Sequence, residues 1–232
     1  MSSNHSKDVR NVPILSDISG SSRRSLTAVS EVRKFPARTL VFSEGVPAKH
    51  LHILLEGSVD LFGAIRGREA TINVLRPGNA FIIAAVVRNA FNLMSARTMQ
   101  ASRILFIPAD AFRSALREDP ALAINVSLEL GLNFRSMVKL LRDQKLRSSR
   151  ERLAAYILRL ARENIDKDSF QLPTTKRVLA SLLGIEPASL SRTLASLSEA
   201  GIRIEGDIVH VEDIGALAEV ANSDWVVDDP WS

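Results

Sequence analysis

Between residues 38 and 108, apolar residues come in short runs: Thr39-Leu-Val-Phe42, Leu51-His-Ile-Leu-Leu55, Val59-Asp-Leu-Phe62, Ala70-Thr-Ile-Asn-Val-Leu75 and Ile104-Leu-Phe-Ile107. Gly45, Gly57, Gly63, Gly67 and Gly78 punctuate them. Runs of this length, rich in β-branched and aromatic residues and set apart by turn formers, predict the strands of an antiparallel sandwich or barrel-like roll. Ahead of them Leu15, Ile18, Leu26 and Val29 give a weak helical stripe, and the polar Ser19-Gly-Ser-Ser22 within it predicts a loop. From Pro108 the spacing turns helical. Asp119-Pro120 offers an N-cap followed by a proline whose missing N–H costs nothing at a helix start. The stripe Leu122, Val126, Leu130, Met137, Leu140 and Leu141 then runs for roughly 28 residues, about 40 Å of helix, to Ser148-Ser149. A helix that long buries its stripe either against a second copy of itself or against its own roll, and the first is the expectation here.

Beyond residue 150 the texture stays helical. Leu153, Ile157, Leu158 and Leu160 predict a helix over 151–163, and two shorter helices are expected over 174–183 and 187–199. Ile202-Arg-Ile204 and Ile208-Val-His-Val211, joined by Glu205-Gly206-Asp207, predict a hairpin; a helix over 213–221 and a loose end with Trp225 and Trp231 follow. The expected organisation is a leader and β-roll sensor domain over 1–118, a dimerisation helix and hinge over 119–148, a helical domain with a hairpin wing over 149–222, and an acidic tail over 223–232.

Composition narrows the chemistry. The 232 residues include no cysteine, which excludes disulfides, thiolate zinc sites, all-cysteine iron–sulfur clusters and thiol nucleophiles. Four isolated histidines, His5, His50, His52 and His210, make a poor basis for a metalloenzyme, and no Ser/His/Asp or paired-carboxylate constellation stands out. The expectation is that this is not an enzyme. The net charge of +4 conceals a polarity: eight of the 26 acids lie after Arg203, leaving 30 bases against 18 acids up to and including it. Such a body suits a polyanionic partner. The longest apolar run, 81–87, is far short of the roughly 20 residues of a membrane helix. A soluble, cytoplasmic protein with no membrane partner is expected.

The segment 176–195 carries the strongest motif. Read as a helix-turn-helix, it places the small Ala180 where the second helix crosses and Gly184 at the turn, where a left-handed conformation is needed. Leu183, Ile185 and Leu190 fall at the buried corner, and Pro187 in the first turn of the second helix. On that helix Ser189, Ser191 and Arg192 can point outward while Leu190 and Leu194 point in. Arg192 is expected to read a guanine edge in the major groove, with Ser189 on phosphate or base and the hairpin as a wing along the backbone. Thr175, Lys176 and some of the eight bases Lys139, Arg142, Lys145, Arg147, Arg150, Arg152, Arg159 and Arg162 are candidates for steering phosphates.

A glycine-punctuated β-roll, a long helix and a winged helix-turn-helix in this order resemble the CRP/FNR family of bacterial transcription regulators. The fragments that carry the resemblance are Phe42-Ser-Glu-Gly45, Ile53-Leu-Leu-Glu-Gly57, Leu75-Arg-Pro-Gly78, Ser95-Ala96, Phe106-Ile-Pro108, Arg150-Glu-Arg-Leu153 and Leu190-Ser-Arg192. The resemblance implies an α+β fold: an N-terminal antiparallel β-roll of the cupin-like jelly-roll kind, a long dimerisation helix and a C-terminal winged helix-turn-helix. It also implies a homodimeric regulator, an activator, on near-palindromic double-stranded DNA, with RNA polymerase as a further partner and a hinge near Ser148 through which the roll's signal acts.

The departures are as informative as the matches. Cyclic-nucleotide-binding members follow the Pro-Gly turn with a Gly-Glu pair for the ribose and place an arginine before Ser-Ala for the phosphate. Here Ile82-Ile83 and Met94 stand there. A buried phosphate without its arginine costs several kcal/mol, so cyclic nucleotide is not the expected effector. The absent cysteines remove the iron–sulfur cluster of the oxygen sensors. Around the family's pocket stand Phe81, Ile82, Ile83, Val86, Val87, Phe91, Leu93, Met94 and Ser95, which read as a plain packed core or as a cavity for haem or another apolar effector, with His50 or His52 as candidate iron ligands. Most members also carry a glutamate, for cytosine, where this chain has Ala188, so Arg192 is expected to keep its guanine while the neighbouring pair is read differently. The alternatives are a regulator with no effector, or a ligand-binding or protein-interaction module whose helical half docks a protein.

Overall fold

The computed structural model describes residues 12–164 and 169–228. The chain forms two compact units divided between Phe134 and Arg135.

The N-terminal unit opens with a short 3-10 turn, Pro13–Leu15, and helix α1 (Gly20–Val29). The expected serine loop is instead the start of α1. The Ser19 hydroxyl accepts from the Ser22 amide and caps the helix, so a polar stretch with no apolar period still begins a turn. Eight strands follow: β1 (Glu31–Phe35), β2 (Leu40–Phe42), β3 (His50–Glu56), β4 (Val59–Ile65), β5 (Arg68–Leu75), β6 (Ala80–Phe81), β7 (Ser95–Thr98) and β8 (Ser102–Pro108). They build two antiparallel sheets, β1-β8-β3-β6 and β2-β7-β4-β5. The five expected strands are present; β1, β6 and β7 are additional, and the polar β7 sits between β2 and β4.

Period-two alternation assigns each side chain to a layer. Leu54 on β3 and Ile104 and Phe106 on β8 turn to the space between the sheets, where they meet Leu61, Leu75, Phe81 and Ala96. Their neighbours Leu51, Ile53, Leu105 and Ile107 turn the other way, onto Leu26 of α1, Phe112 of α3 (Ala109–Glu118) and Leu122 and Val126 of α4 (Pro120–Leu146). Gly57, between β3 and β4, has φ +95°, and a Cβ there would meet the Ala101 carbonyl oxygen at 2.6 Å. Asp119 caps α4 as the sequence predicts, Oδ1 accepting from the amides of Ala121 and Leu122. Its Oδ2 accepts from the Ser19 amide at 2.8 Å, so one carboxylate fixes the starts of two helices. Hydrogen bonds from Ser22 and Ser19 hold this carboxyl well below the usual range.

The C-terminal unit begins within α4 and continues with α5 (Ser149–Glu163), β9 (Ser169–Gln171), α6 (Lys176–Leu183), α7 (Pro187–Ala195), β10 (Ile202–Glu205), β11 (Ile208–Val211), α8 (Ile214–Val220) and α9 (Trp225–Asp228). Ser148 and Glu151 form a reciprocal capping box at the start of α5. Leu153, Ile157 and Leu158 of α5 pack on Leu179, Leu183, Leu190 and Leu194, with Val209 of the β10-β11-β9 sheet and Leu217 of α8 closing the core. Over its described residues, 223–228, the tail departs from the sequence expectation of a loose acidic end. It turns into α9, and Asp228 is completely buried. Trp225 is exposed, and Trp231 lies outside the described residues, as does His5.

Candidate nucleic-acid interface and the interior of the roll

Thr175 caps α6, its hydroxyl accepting from the Val178 amide. Gly184 ends that helix at φ 60°, the left-handed turn the motif requires, and Pro187 occupies the first turn of α7. Ala180, Leu183, Ile185, Leu190 and Leu194 are buried, which fixes the rotation of α7 about its axis. The opposite face then carries Ala188, Ser191 and Arg192, all exposed, with Ser189 half-buried. Arg192 donates to the Ser189 hydroxyl at 3.4 Å, a long contact that leaves the guanidinium directed along the exposed face. Lys176 and Arg177 lie exposed on the first turn of α6. Among the described residues neither they nor Arg192 enter an ion pair. Arg177 escaped the sequence reading; its neighbour Lys176 was the only signal that could have found it.

Several of the eight bases named for phosphate are engaged inside the unit instead. Arg147, its side chain 9% exposed, reaches Asp143 at 2.7 Å and Asp228 at 2.9 Å. Arg159 pairs with the same two carboxylates at 3.1 and 3.0 Å. Arg162 donates to the Asp228 carbonyl oxygen, and Arg142 pairs with Asp224. Arg152 donates to the carbonyl oxygens of Leu183, Gly184 and Arg147, and Arg150 to that of Ser196. The cause is placement: helix ends expose carbonyls, and the buried acids bring charge the sequence pattern cannot locate.

In the roll the residues named for an effector pocket divide among three places. Phe81 and Met94 face the space between the sheets. Ile83 and Val86 are buried on the far side of the sheet with the helices, and Ile82 packs partly there. Phe91 is 61% exposed, as is Leu93 at 84%, so neither lines a cavity. Ser95 is buried and accepts from the Glu44 amide. Ile82 precedes helix α2 (Ile83–Arg88) with φ 57°, a left-handed conformation that a β-branched residue adopts only under strain. The position where the resemblance puts a glycine thus keeps the glycine's backbone shape without the glycine.

His52 is enclosed in the same inter-sheet space. Its ring lies 4.9 Å from Phe42, 5.2 Å from Phe81 and 4.5 Å from Phe106, centroid to centroid. Burial pushes the imidazole down to about 3, helped by His50 and Arg33, and Nδ1 has no hydrogen-bond partner. His50 is half-buried against Phe106, its pKa also lowered by burial first. Arg97, three residues past Met94, lies over the Phe62 ring at 4.4 Å and pairs with Asp60 and Glu69, away from the inter-sheet face that Ala96 joins. No cluster of three or more metal-ligating side chains occurs among the described residues. None of the described helices is long and apolar enough to cross a membrane.

Comparison with known proteins meets this geometry from outside. The family model of the cyclic nucleotide-binding domain matches residues 32–119, and that of the Crp-like helix-turn-helix domain matches 151–220. A CRP-like cAMP-activated global transcriptional regulator of Mycobacterium tuberculosis is 26% identical over 214 residues, covering 90% of this chain and 96% of the relative. The global nitrogen regulator of Synechococcus elongatus is 25% identical over 178 residues, covering 73% of this chain and 79% of its own. The structure of FixK2 from Bradyrhizobium japonicum superposes with a TM-score of 0.75 at 16% identity, covering 84% of this chain and 99% of that one. The two matched domains, in the order and places where the roll and the helix-turn-helix stand, identify this chain as a member of the CRP/FNR family of transcription regulators, which are not enzymes.

Proposed function

We propose that this protein is a homodimeric, sequence-specific DNA-binding regulator in which α7 enters the major groove and Arg192 reads a guanine. The observation that carries the reading is the division of α7 into a buried face, Leu190 and Leu194, and an exposed one, Ala188, Ser191 and Arg192. Ala188 cannot accept a hydrogen bond but can contact a thymine methyl. Lys176 and Arg177 of α6, rather than the arginines of α4 and α5, supply the phosphate contacts. Dimerisation uses α4. Ile124, Leu128, Leu132, Met137, Val138 and Leu141 of that helix are 40–62% exposed, a density of apolar side chains that water disfavours unless a second copy covers it. Two-fold symmetry then sets half-sites about 34–36 Å apart.

The experiment is selection of bound duplexes from a random pool, followed by affinity measurement over a range of salt. The reading expects a near-palindrome with a guanine in each half-site and log K falling linearly with log salt. Recovery of an unaltered TTGAT–ATCAA palindrome would refute the role given to Ala188, and salt-independent or absent duplex binding would refute the function.

The relative from M. tuberculosis is described as cAMP-activated; for this chain we propose that cyclic nucleotide is not the effector. Ile83 is packed in the core where the resemblance puts the ribose-binding carboxylate, Met94 replaces the phosphate-binding arginine, and aromatic rings fill the inter-sheet space. Haem fits no better: a porphyrin on His52 would have to displace Phe42, Phe81 or Phe106. Calorimetry with cAMP and haemin titration should both show no binding, and a Soret shift or a measurable cAMP heat would overturn this part.

A further inference from the structure

Four charged side chains close a ring inside the C-terminal unit. Asp143 comes from the last turn of α4, Arg147 from the residue just past its end, Arg159 from the middle of α5, and Asp228 from the last turn of α9. Each arginine contacts both carboxylates, at 2.7 and 2.9 Å for Arg147 and at 3.1 and 3.0 Å for Arg159. The ring is neutral, and its carboxylates are almost fully buried: the side chains of Asp143 and Asp228 are 6% and 0% exposed. Further bonds hold α9 in place. Arg147 donates to the Asn222 carbonyl oxygen, Arg162 to that of Asp228, and the Asp224 amide to the Asp228 carboxylate.

We propose that the C-terminal segment is an intrachain clasp that locks the joint between α4 and α5, so that the joint at Ser148 does not bend and the end of α4 moves with the helix-turn-helix as one body. The joint is spanned three times over. The ring crosses it from Asp143 and Arg147 to Arg159, the capping box sits on it, and Arg152 bonds the Arg147 carbonyl oxygen on one side and those of Leu183 and Gly184, at the C-terminal end of α6, on the other. Only Asp228 comes from outside the two helices and the joint between them, and without it two guanidiniums share the single carboxylate of Asp143. A buried pair broken on one side leaves an uncompensated charge, which is what makes the segment decisive for the joint rather than an addition to it. Any signal-dependent bending then has to occur before Asp143. Asp143, Arg147, Arg159 and Asp228 are positioning residues with no part in contacting DNA.

Hydrogen exchange on the full-length protein tests this, comparing wild type with the isosteric Asp228→Asn and with a chain ending at Asn222. Amides between residues 143 and 152 should exchange at least tenfold faster in both variants, while those of α7 stay within twofold of wild type. Unchanged exchange at 143–152 would show that the joint does not depend on the segment. An even rise throughout the unit, or loss of the fold, would show a general contribution to stability. Either result overturns the proposal. A second arm rests on the DNA-binding reading above: Asp228→Asn should lower affinity for the selected duplex about tenfold with an unchanged salt slope. Should wild type bind no duplex, that reading fails and the exchange arm still decides the clasp.

Discussion

The imidazole of His52 stacks on the ring of Phe81, centroids 5.2 Å apart and planes 24° from parallel. A histidine packed this way has to be neutral, since protonation would place a cation among aromatic rings with no acceptor at Nδ1.

The first prediction is therefore a pH dependence. The folded-state value of about 3 lies below the ordinary imidazole value of 6.5, so between these limits the unfolded chain binds the extra proton. Stability from this group is complete above pH 6.5 and is lost as pH falls toward 3. Urea unfolding at pH 7 and pH 5 should differ by about 1–2 kcal/mol, and His52→Phe should shrink that difference. The His52 ring proton shift in NMR should stay flat from pH 8 to pH 5.

Gly57 tests the roll's turn chemistry. Its positive φ and the 2.6 Å approach of an added Cβ to the Ala101 carbonyl oxygen leave a side chain nowhere to go except by moving backbone. Gly57→Ala should destabilise the protein by about 2 kcal/mol or more in denaturant titration. Gly67→Ala, where no atom lies within 4 Å, should cost less.

Arg192 and Lys176 separate base reading from phosphate contact. Arg192→Ala should cost about 1–3 kcal/mol on the selected duplex and relax preference at one base pair. Lys176→Ala should weaken all duplexes alike and lower the salt slope by about one.

Leu128, 62% exposed on α4, tests the dimer face. Leu128→Glu should yield a monomer in sedimentation velocity while circular dichroism remains that of wild type, because the side chain touches neither core.

The roll, the helix-turn-helix and their order were legible because they rest on local signals: alternation, turn glycines, a helical stripe and caps such as Asp119 and Thr175. Helix α7 was readable at the level of single residues, since Leu190 and Leu194 set its rotation and so select Ser191 and Arg192 as the outer face. Strands β1 and β7 were not, because Glu-Val-Arg-Lys-Phe and Ser-Ala-Arg-Thr carry little apolar pattern of their own and become strands only by pairing with β8 and with β2 and β4.

The charge pattern marks the boundary between the two sources of information. By itself the sequence determined that bases dominate up to Arg203 and acids after it and that no cysteine is present, and through the resemblance it put Ile82, Ile83 and Met94 at the positions where cyclic-nucleotide-binding members carry their ligand residues. Only the tertiary structure decided which charges are available. Asp228 lies 81 residues from Arg147 and 69 from Arg159, and their meeting, with Asp143, draws two of the phosphate candidates into a neutral ring of four charges. The reason is physical: local pattern fixes periodicity and caps, whereas pairing across such separations depends on how α4, α5 and α9 pack, and it is that packing which leaves Lys176, Arg177 and Arg192 as the exposed cations of the helix-turn-helix.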